Sequence, residues 1–242
     1  MTTRSFLPLS VTAPYPCSYL PGATARSLLV TPGDVVDTQV YSALVDKGFR
    51  RSGLFTYRPL CQGCNACQTL RLPVQSFAPN RSQRRTWRQH QGLTVRIVAP
   101  RMQAEHYALY RRYLKARHSG GGMDSDSASD YEQLLLRSRV NTQLVEFWAV
   151  SEQSGAHLRM VSVVDVLQQG LSAVYTFYDD AINGLGTFSI LWLVHWARQL
   201  GLAHVYLGYW IEGCAKMAYK TRFLPCEILQ DGRWVRLERT GA

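Results

Sequence analysis

The chain has 242 residues, a formal net charge of +10, and 46% hydrophobic against 18% charged residues. This composition is typical of a folded globular protein and excludes a disordered chain. No run of about 18 apolar residues occurs, which argues against a membrane-spanning helix. The N-terminal sequence lacks the basic and apolar regions of a secretory signal. We therefore expect a cytoplasmic protein without a membrane partner.

The basic charge is concentrated in one half of the chain. Residues 1–118 hold 17 Lys and Arg against 4 Asp and Glu, whereas residues 119–242 hold 10 against 13. Positive charge that served only solubility would be spread more evenly. The asymmetry predicts contact with a nucleic acid, for which RNA is our expectation.

A first module is predicted at residues 1–90 and a second at residues 91–242. In chain order the first contains irregular chain to residue 30, a helix over 36–48, strands at 54–59 and 69–74, and a basic helix from Asn80 or Ser82 to near Gly92. The second contains a strand at 93–100, helices at 104–118 and 130–138, strands at 143–150, 158–167 and 171–179, an apolar helix at 184–201, a strand at 204–210, a short helix at 214–223 and a hairpin at 227–237. This order predicts an α+β fold with a mixed, mostly antiparallel sheet in the second module.

Four cysteines lie in the first third of the chain. They are Cys17 and the C-x-x-C-x-x-C group of Cys61, Cys64 and Cys67. In a reducing compartment such spacing favours metal binding or redox chemistry over disulfides, and four thiols suffice for zinc or an iron–sulfur cluster. A packed knot of reduced thiols without metal is the alternative, and both remain open. Cys214 and Cys226 are predicted to be buried and inert.

Seven sequence blocks occur together and in order between Cys17 and Trp234: CSYLPG, GFRRSG..TYRP.C..C..C, NRSQRR, ARH..G.M, AVYTFYD, LGT.SILW and YLGYWI.GC.KM.YK. With them the chain resembles the aminoacyl-tRNA–protein transferases, in particular the bacterial aspartate/glutamate leucyltransferase branch, which is related to eukaryotic arginyltransferase. The resemblance implies transfer of leucine from leucyl-tRNA to a protein that begins with Asp or Glu, which creates an N-degron. It also implies a cysteine-containing N-terminal domain and a C-terminal domain with an acetyltransferase-like (GNAT) fold.

An enzyme of this kind must recognise the side-chain carboxylate of its acceptor. The planar guanidinium of arginine binds carboxylates through two parallel hydrogen bonds. We therefore predict that at least one of Arg50, Arg51 and Arg71 binds the acceptor carboxylate.

Two predicted helices carry basic runs with aromatic residues between them. Such patches bind RNA phosphates and allow stacking, here on Trp87 or Tyr113, although a solvated helix face is the alternative. Lys216 and Lys220 are four apart on a predicted helix and would share a face suited to acceptor-end phosphates. The predicted tRNA-binding residues are Arg81, Arg84, Arg85, Arg88, Arg111, Arg112, Lys115, Arg117, Lys216 and Lys220.

In the family, the AVYTFYD and YLGYWI blocks line the presumed catalytic cleft. They supply the candidate catalytic residues Tyr175, Tyr178, Tyr209 and Glu212. The ester of an aminoacyl-tRNA is already activated, so positioning and an oxyanion donor suffice without a cofactor. We expect direct attack by the acceptor amine, because the sequence contains no G-x-S-x-G nucleophile motif. His118, before a glycine-rich loop, either moves protons or is structural.

Three other functions remain open. An arginyl-tRNA-using enzyme would need a carboxylate for the donor side chain, such as Asp179 or Glu212. A leucine donor would instead need an apolar pocket, for which Phe177, Leu191, Trp192 and Met217 are available. The chain could also be an acetyl-CoA-dependent acetyltransferase or a non-catalytic, metal-sensing RNA-binding module. DNA is not an expected partner.

Overall fold

The computed structural model describes residues 7–117, 127–151, 153 and 155–237. His118 and the glycine-rich loop lie outside the described residues. The described chain contains sheets of eight, four and two strands with helices around them. None of its described helices has the length and apolar character needed to cross a membrane.

The elements follow the predicted order closely from Phe55 onwards, whereas β5 at Arg50–Ser52 was not predicted. The strands are β1 Leu9–Val11, β2 Tyr15–Pro16, β3 Thr24–Ala25, β4 Ser27–Val30, β5 Arg50–Ser52, β6 Phe55–Pro59, β7 Gln68–Pro73, β8 Thr94–Val98, β9 Thr142–Ser151, β10 Gly155–Val166, β11 Gly170–Tyr178, β12 His204–Trp210, β13 Glu227–Gln230 and β14 Arg233–Arg236. The α-helices are α1 Thr38–Asp46, α2 Arg81–His90, α3 Ala104–Arg117, α4 Ala128–Tyr131 and α5 Leu185–Gln199. Short 3-10 helices occupy Gly33–Val35 and Ala218–Arg222, and a π-helical turn occupies Glu132–Leu136.

The N-terminal segment differs from its prediction as irregular chain. It forms short strands, and β4 pairs with both β1 and the more distant β6 in the four-stranded sheet β1-β4-β6-β5. These strands are short, and each pairs with a strand that is not its immediate hairpin neighbour or, for β2 and β3, over two residue pairs only. Local residue pattern therefore gave no sign of them.

The large sheet has the strand order β14-β13-β7-β12-β11-β10-β9-β8. All pairings in it are antiparallel except that of β11 with β12. The predicted α+β class with a mixed, mostly antiparallel sheet is confirmed. Strand β7 comes from the first predicted module yet pairs with β12 and β13, so the two modules share one sheet. The boundary at residue 90 stays a prediction.

Helices cover both faces of this sheet. Helix α5 packs its apolar residues on one face and buries Leu185 and Phe188 almost completely. Helix α3 packs on β10 and β11 through Leu109, Tyr110 and Leu114 in a second cluster. Each such side chain, when fully buried, contributes about 1.5–3 kcal/mol. The sheet thus lies between two helical layers.

Two helix termini bear on the predictions. Asn80 caps α2 in a capping box with Gln83, which confirms the first of the two predicted caps. The short helix predicted at 214–223 is wrong in its first half, because a turn precedes a 3-10 helix that begins only at Ala218. Lys216 and Lys220 therefore do not share a helix face.

Candidate functional site

A cleft opens where the two parallel strands separate. Strands β11 and β12 pair only from Gly170 to Ser172 and from His204 to Tyr206. Both strands run on beyond this point, and a cavity of about 530 Å³ lies between them at the first turn of α5. It is lined by Tyr113, Ala173, Val174, Tyr175, Thr176, Tyr178, Gly184, Gly186, Thr187, Ser189, Ile190, Leu193, Leu207, Lys216, Tyr219 and Lys220.

The lining of this cavity combines aliphatic side chains with hydrogen-bond donors. Ile190, Leu193 and Leu207 give aliphatic surface, whereas the tyrosines and lysines give hydrogen-bond donors. No Asp or Glu lies among these described lining residues. The cavity therefore suits a ligand with an aliphatic group and oxygen acceptors.

Two of the four predicted catalytic residues, Tyr175 and Tyr178, lie in this cavity. The Tyr178 ring lies 4.9 Å, centroid to centroid, from that of Tyr113 on α3. Burial, followed by the neighbouring Tyr178 and Tyr175, raises the pKa of Tyr113. A tyrosine with a raised pKa stays protonated near neutral pH, so Tyr113 is a hydrogen-bond donor there and not a base.

The other two predicted catalytic residues, Tyr209 and Glu212, lie outside this cavity. The hydroxyl of Tyr209 is buried and donates to the carbonyl of Gly48 at 3.0 Å, and burial raises its pKa. Glu212 lines a neighbouring cavity of about 520 Å³, which shares Thr187 and Tyr219 with the first. The cleft therefore does not bring the four together.

Two of the three predicted carboxylate-binding arginines are already paired within the chain. Arg51 binds Asp165 through two hydrogen bonds of 2.7 and 2.6 Å, and both side chains are buried. Arg71 donates to Glu227 at 2.7 Å and to Asp46 at 3.2 Å. Their guanidinium groups are occupied by the protein's own carboxylates.

Arg50 is different. Its Nη1 donates to the carbonyl of Phe49 at 2.7 Å, but its buried Nε and Nη2 have no hydrogen-bond partner in the described structure. The guanidinium carbon lies 5.9 and 5.7 Å from the ring centroids of Tyr206 and Tyr209. An unpaired buried donor is costly, so these two atoms mark a place where an acceptor belongs.

The structure separates the two lysines that were predicted to act together. Lys216 is exposed at the cavity, whereas Lys220 is buried and donates from Nζ to the carbonyl of Tyr209 at 2.5 Å. Burial and the nearby charge of Arg50 lower the pKa of Lys220 to about 8. Lys220 is therefore placed for a ligand inside the cleft and not for an exposed phosphate.

The two basic helices flank the opening of the cleft. His90 at the end of α2 contacts the carbonyl of Asn183, just before α5, at 2.9 Å. Arg117 at the end of α3 lies over the Tyr178 ring at 5.9 Å. The predicted tRNA-binding arginines and lysine of both helices are solvent-exposed. Trp87 is partly buried and packs on Phe188 and His195, so its stacking role stays a prediction.

The four N-terminal cysteines are free thiols. Burial, followed by the other three thiols, raises the pKa of Cys67 to about 11. Thiols without carboxylates are soft donors that suit zinc or iron–sulfur clusters, so the donor chemistry fits. Across the described ranges, however, no three Cys, His, Asp or Glu side chains converge into a metal-binding arrangement.

Sequence reasoning missed two positions that shape the surroundings of Arg50 and Arg51. Asp165 stands alone in the apolar stretch VSVVDV, and a lone charge in a buried strand indicates an ion-pair partner. Gly208 interrupts β12, where a register shift and a φ of +80° mark a bulge. An isolated glycine in a strand pattern is the signal that could have revealed it.

The remaining two cysteines differ from each other. Cys226 is buried, as predicted, and burial raises its pKa to about 11. Cys214 is only partly buried, contrary to the prediction, because it lies in the turn before the 3-10 helix.

Solved structures resemble this chain only weakly. FemX matches with a TM-score of 0.48 and 10% identity over 82% of this chain and 80% of its own. L-PGS from Bacillus licheniformis matches with a TM-score of 0.41 and 13% identity over 70% of this chain and 49% of its own. Scores of this size support no argument.

Sequence comparisons are far stronger. The family models for the N terminus and C terminus of arginine-tRNA-protein transferase match residues 15–85 and 105–230. The aspartate/glutamate leucyltransferase of Chromobacterium violaceum is 53% identical over 92% of this chain and 91% of its own. That of Polynucleobacter asymbioticus is 47% identical over 98% and 99%, and that of Hahella chejuensis is 40% identical over 98% and 100%. The chain belongs to the arginine-tRNA-protein transferase family, among relatives that are named aspartate/glutamate leucyltransferases.

Proposed function

We propose that this protein transfers leucine from leucyl-tRNA to the N-terminal Asp or Glu of acceptor proteins and so marks them for degradation through the N-degron pathway. Curated relatives of this name match nearly the whole chain at 40–53% identity. The cleft between β11 and β12 is the proposed site of the transfer. A cytoplasmic location, where charged tRNA is found, is part of the same proposal.

The residues that line the cavity indicate which amino acid the tRNA donates. Ile190, Leu193 and Leu207 offer aliphatic contacts to a leucyl side chain, and Lys216 and Lys220 are the charged lining residues. A buried arginyl side chain would need a carboxylate partner, and the described lining contains none. The carboxylates considered for that role, Asp179 and Glu212, lie outside this lining, and Asp179 pairs with Arg159 at 2.8 Å. This favours leucine over arginine.

The reaction requires little covalent chemistry from the protein. The acceptor's neutral α-amine attacks the carbonyl carbon of the leucyl ester, a new amide bond forms, and the bond to the ribose oxygen of the tRNA breaks. The proton lost by the amine passes to that leaving oxygen. Holding amine and ester together can supply about 7–11 kcal/mol of the barrier reduction. Tyr113, Tyr175 and Tyr178 are candidates to donate to the developing oxyanion.

The basic helices α2 and α3 are the proposed docking surface for the acceptor stem. Helix α2 reaches the border of the cleft through the buried His90 at Asn183, and α3 reaches it through the exposed Arg117 at Tyr178. Phosphate contacts would hold the stem in register and leave the aminoacyl end free to enter.

An incubation of the purified chain with labelled leucyl-tRNA or arginyl-tRNA tests this function. Peptides that begin with Asp, Glu or Ala serve as acceptors. Leucine is expected on the Asp and Glu peptides alone. Incorporation of arginine instead, or no use of charged tRNA at all, would overturn the proposal.

Cys17, Cys61, Cys64 and Cys67 are the proposed ligands of a zinc ion or an iron–sulfur cluster, whose contribution would be structural, because the transfer itself needs no cofactor. The raised pKa of Cys67 means that a bound cation is what would keep it a thiolate at neutral pH. Metal analysis after anaerobic purification tests this. Zinc or iron at about one site per chain is expected, and neither metal would mean a knot of reduced thiols.

The acetyltransferase-like (GNAT) description of the second module is likewise a proposal. The parallel β11–β12 pair, which separates beyond Ser172 inside an otherwise antiparallel sheet, supports it.

A further inference from the structure

A small space beside Gly208 lies between two buried cations. A Cβ built on Gly208 would sit 3.7 Å from Lys220 Nζ and 3.9 Å from Arg50 Nε. These are ordinary van der Waals distances, so the space accepts an atom without a clash. Arg50 and Lys220 are only 7% and 9% exposed. Two cations therefore face one place from which water is largely excluded.

Neither cation has a carboxylate partner in the described chain, and besides Arg50 the titratable group that acts on Lys220 is the thiol of Cys214. Arg50 Nε and Nη2 make no hydrogen bond, and the hydrogen bond of Lys220 goes to a neutral backbone carbonyl. The described ion pairs include neither residue. Two buried like charges side by side are unfavourable unless an anion joins them. The arrangement is therefore complete only with an anion from outside the chain.

The backbone keeps this space open. Gly208 has a φ of +80° at the bulge where the β7–β12 register shifts, a conformation that glycine adopts readily. Any other residue would place its side chain in the space between the cations. The rings of Tyr206 and Tyr209 lie against Arg50 and exclude water, which strengthens charge interactions there.

We propose that Arg50 and Lys220 form one carboxylate-binding site at the Gly208 bulge, which holds the side chain of the acceptor's N-terminal Asp or Glu. This inference rests on the proposed function and deepens it. Lys220 also lines the cleft cavity, so a carboxylate held here lies at the wall of that cleft. Lys220 is thereby a specificity-determining residue and not the phosphate contact predicted from sequence.

The site discriminates between charged and neutral N-terminal side chains, because a neutral side chain leaves both Arg50 and Lys220 unpaired. Asn and Gln have nearly the shape of Asp and Glu but carry no charge. A site built for a charged group rejects an isostere that lacks the charge far more strongly than an apolar pocket rejects a small change in size.

The test measures leucine transfer to matched peptides that begin with Asp or Asn. The ratio of kcat/KM for the two peptides is compared between the wild type, Lys220→Met and Lys216→Met. Loss of one partner of a buried charge pair is expected to lower kcat/KM for the Asp peptide by about 30-fold or more. In Lys220→Met the Asp/Asn ratio should therefore fall by a similar factor.

Lys216→Met is the matched control. It lies at the same cavity but is exposed. Lys216→Met is expected to lower kcat/KM for both peptides by the same factor, so the ratio of kcat/KM for the Asp peptide to that for the Asn peptide should not change. An unchanged ratio in Lys220→Met would overturn the inference. A wild type that transfers no leucine from leucyl-tRNA to the Asp peptide would instead overturn the proposed function.

A second measurement needs no variant and covers the case in which Lys220→Met does not fold. Binding of an Asp peptide and of an Asn peptide to the wild type is compared by calorimetry at about pH 8.5, in buffers of different ionisation enthalpy. A carboxylate beside Lys220 raises its pKa from about 8, so only the Asp peptide should bring about additional proton uptake. Equal proton uptake for both peptides would also overturn the inference.

Discussion

Arg50 and Arg51 are neighbours in sequence and equally buried, yet their surroundings are opposite. Arg51 is fully paired with Asp165 and also donates to Thr142 at 3.0 Å, which joins β5 to β9 and β10. Arg50 keeps two donors unpaired beside Gly208 and Lys220. We call these the Arg51 junction and the Arg50 pocket. The difference teaches that burial alone does not identify function, whereas an unpaired buried charge points to a ligand.

The largest expected effect is on the stability of the Arg51 junction. Arg51→Met leaves the buried Asp165 without its cationic partner, with only the hydroxyl of Thr142 still donating to it, and should lower the free energy of unfolding by about 3–5 kcal/mol. Urea unfolding measures this. Arg50→Met is the control, and a change within about 1 kcal/mol is expected because it removes one hydrogen bond, from Nη1 to the carbonyl of Phe49, together with two donors that had no partner. Equal losses in both variants would contradict the distinction between the two sites.

The second effect is a pH dependence of the Arg50 pocket. The pKa of Lys220 is about 8 in the folded protein, against 10.5 for an ordinary lysine in the unfolded chain. Between these values the unfolded chain binds a proton that the folded chain does not, so the free energy of unfolding rises with pH. Relative to Lys220→Met, the wild type should gain up to about 3 kcal/mol from pH 8 to pH 10.5.

Urea unfolding of the wild type and Lys220→Met across this pH range measures the gain. In the presence of saturating Asp peptide, this gain in the free energy of unfolding should begin at a higher pH. A difference between the two proteins that does not vary with pH would show that Lys220 titrates normally.

The third effect concerns the activity of the Arg50 pocket. Arg50→Lys keeps the charge but loses the planar fork. We expect kcat/KM for Asp-initiated peptides to fall by about tenfold, with little change in unfolding free energy, because the carboxylate loses one of two parallel hydrogen bonds. Transfer assays with Asp and Ala peptides measure this. An equal fall for both peptides would point to a general defect.

The smallest effect extends the comparison to exposed arginines. Arg85→Ala on α2 should weaken leucyl-tRNA binding modestly and reduce the slope of log K against log salt by about 0.9, the value of one phosphate contact. Filter-binding titrations at several salt concentrations measure the slope. The control is Arg233→Ala, in the edge strand β14 of the large sheet. If Arg85→Ala does not change this slope, Arg85 does not contact a phosphate and α2 is not part of the docking surface.

The sequence by itself determined the α+β class, most helices and strands after Arg50, and the family. Periodicity and capping are local properties, so Asn80 and the apolar face of α5 were readable directly. The ordered sequence blocks carried the family assignment independently of any fold.

Only the tertiary structure decided what each charged residue does. Arg50 and Arg51 are indistinguishable in sequence, and their difference arises from Asp165, 114 positions away, which reaches one guanidinium and not the other. Lys220 was predicted to contact phosphate, but the structure buries it at the cleft, because a turn and not a helix precedes Ala218. Burial and pairing are long-range properties that strand pairing creates, and no local pattern of residues specifies them.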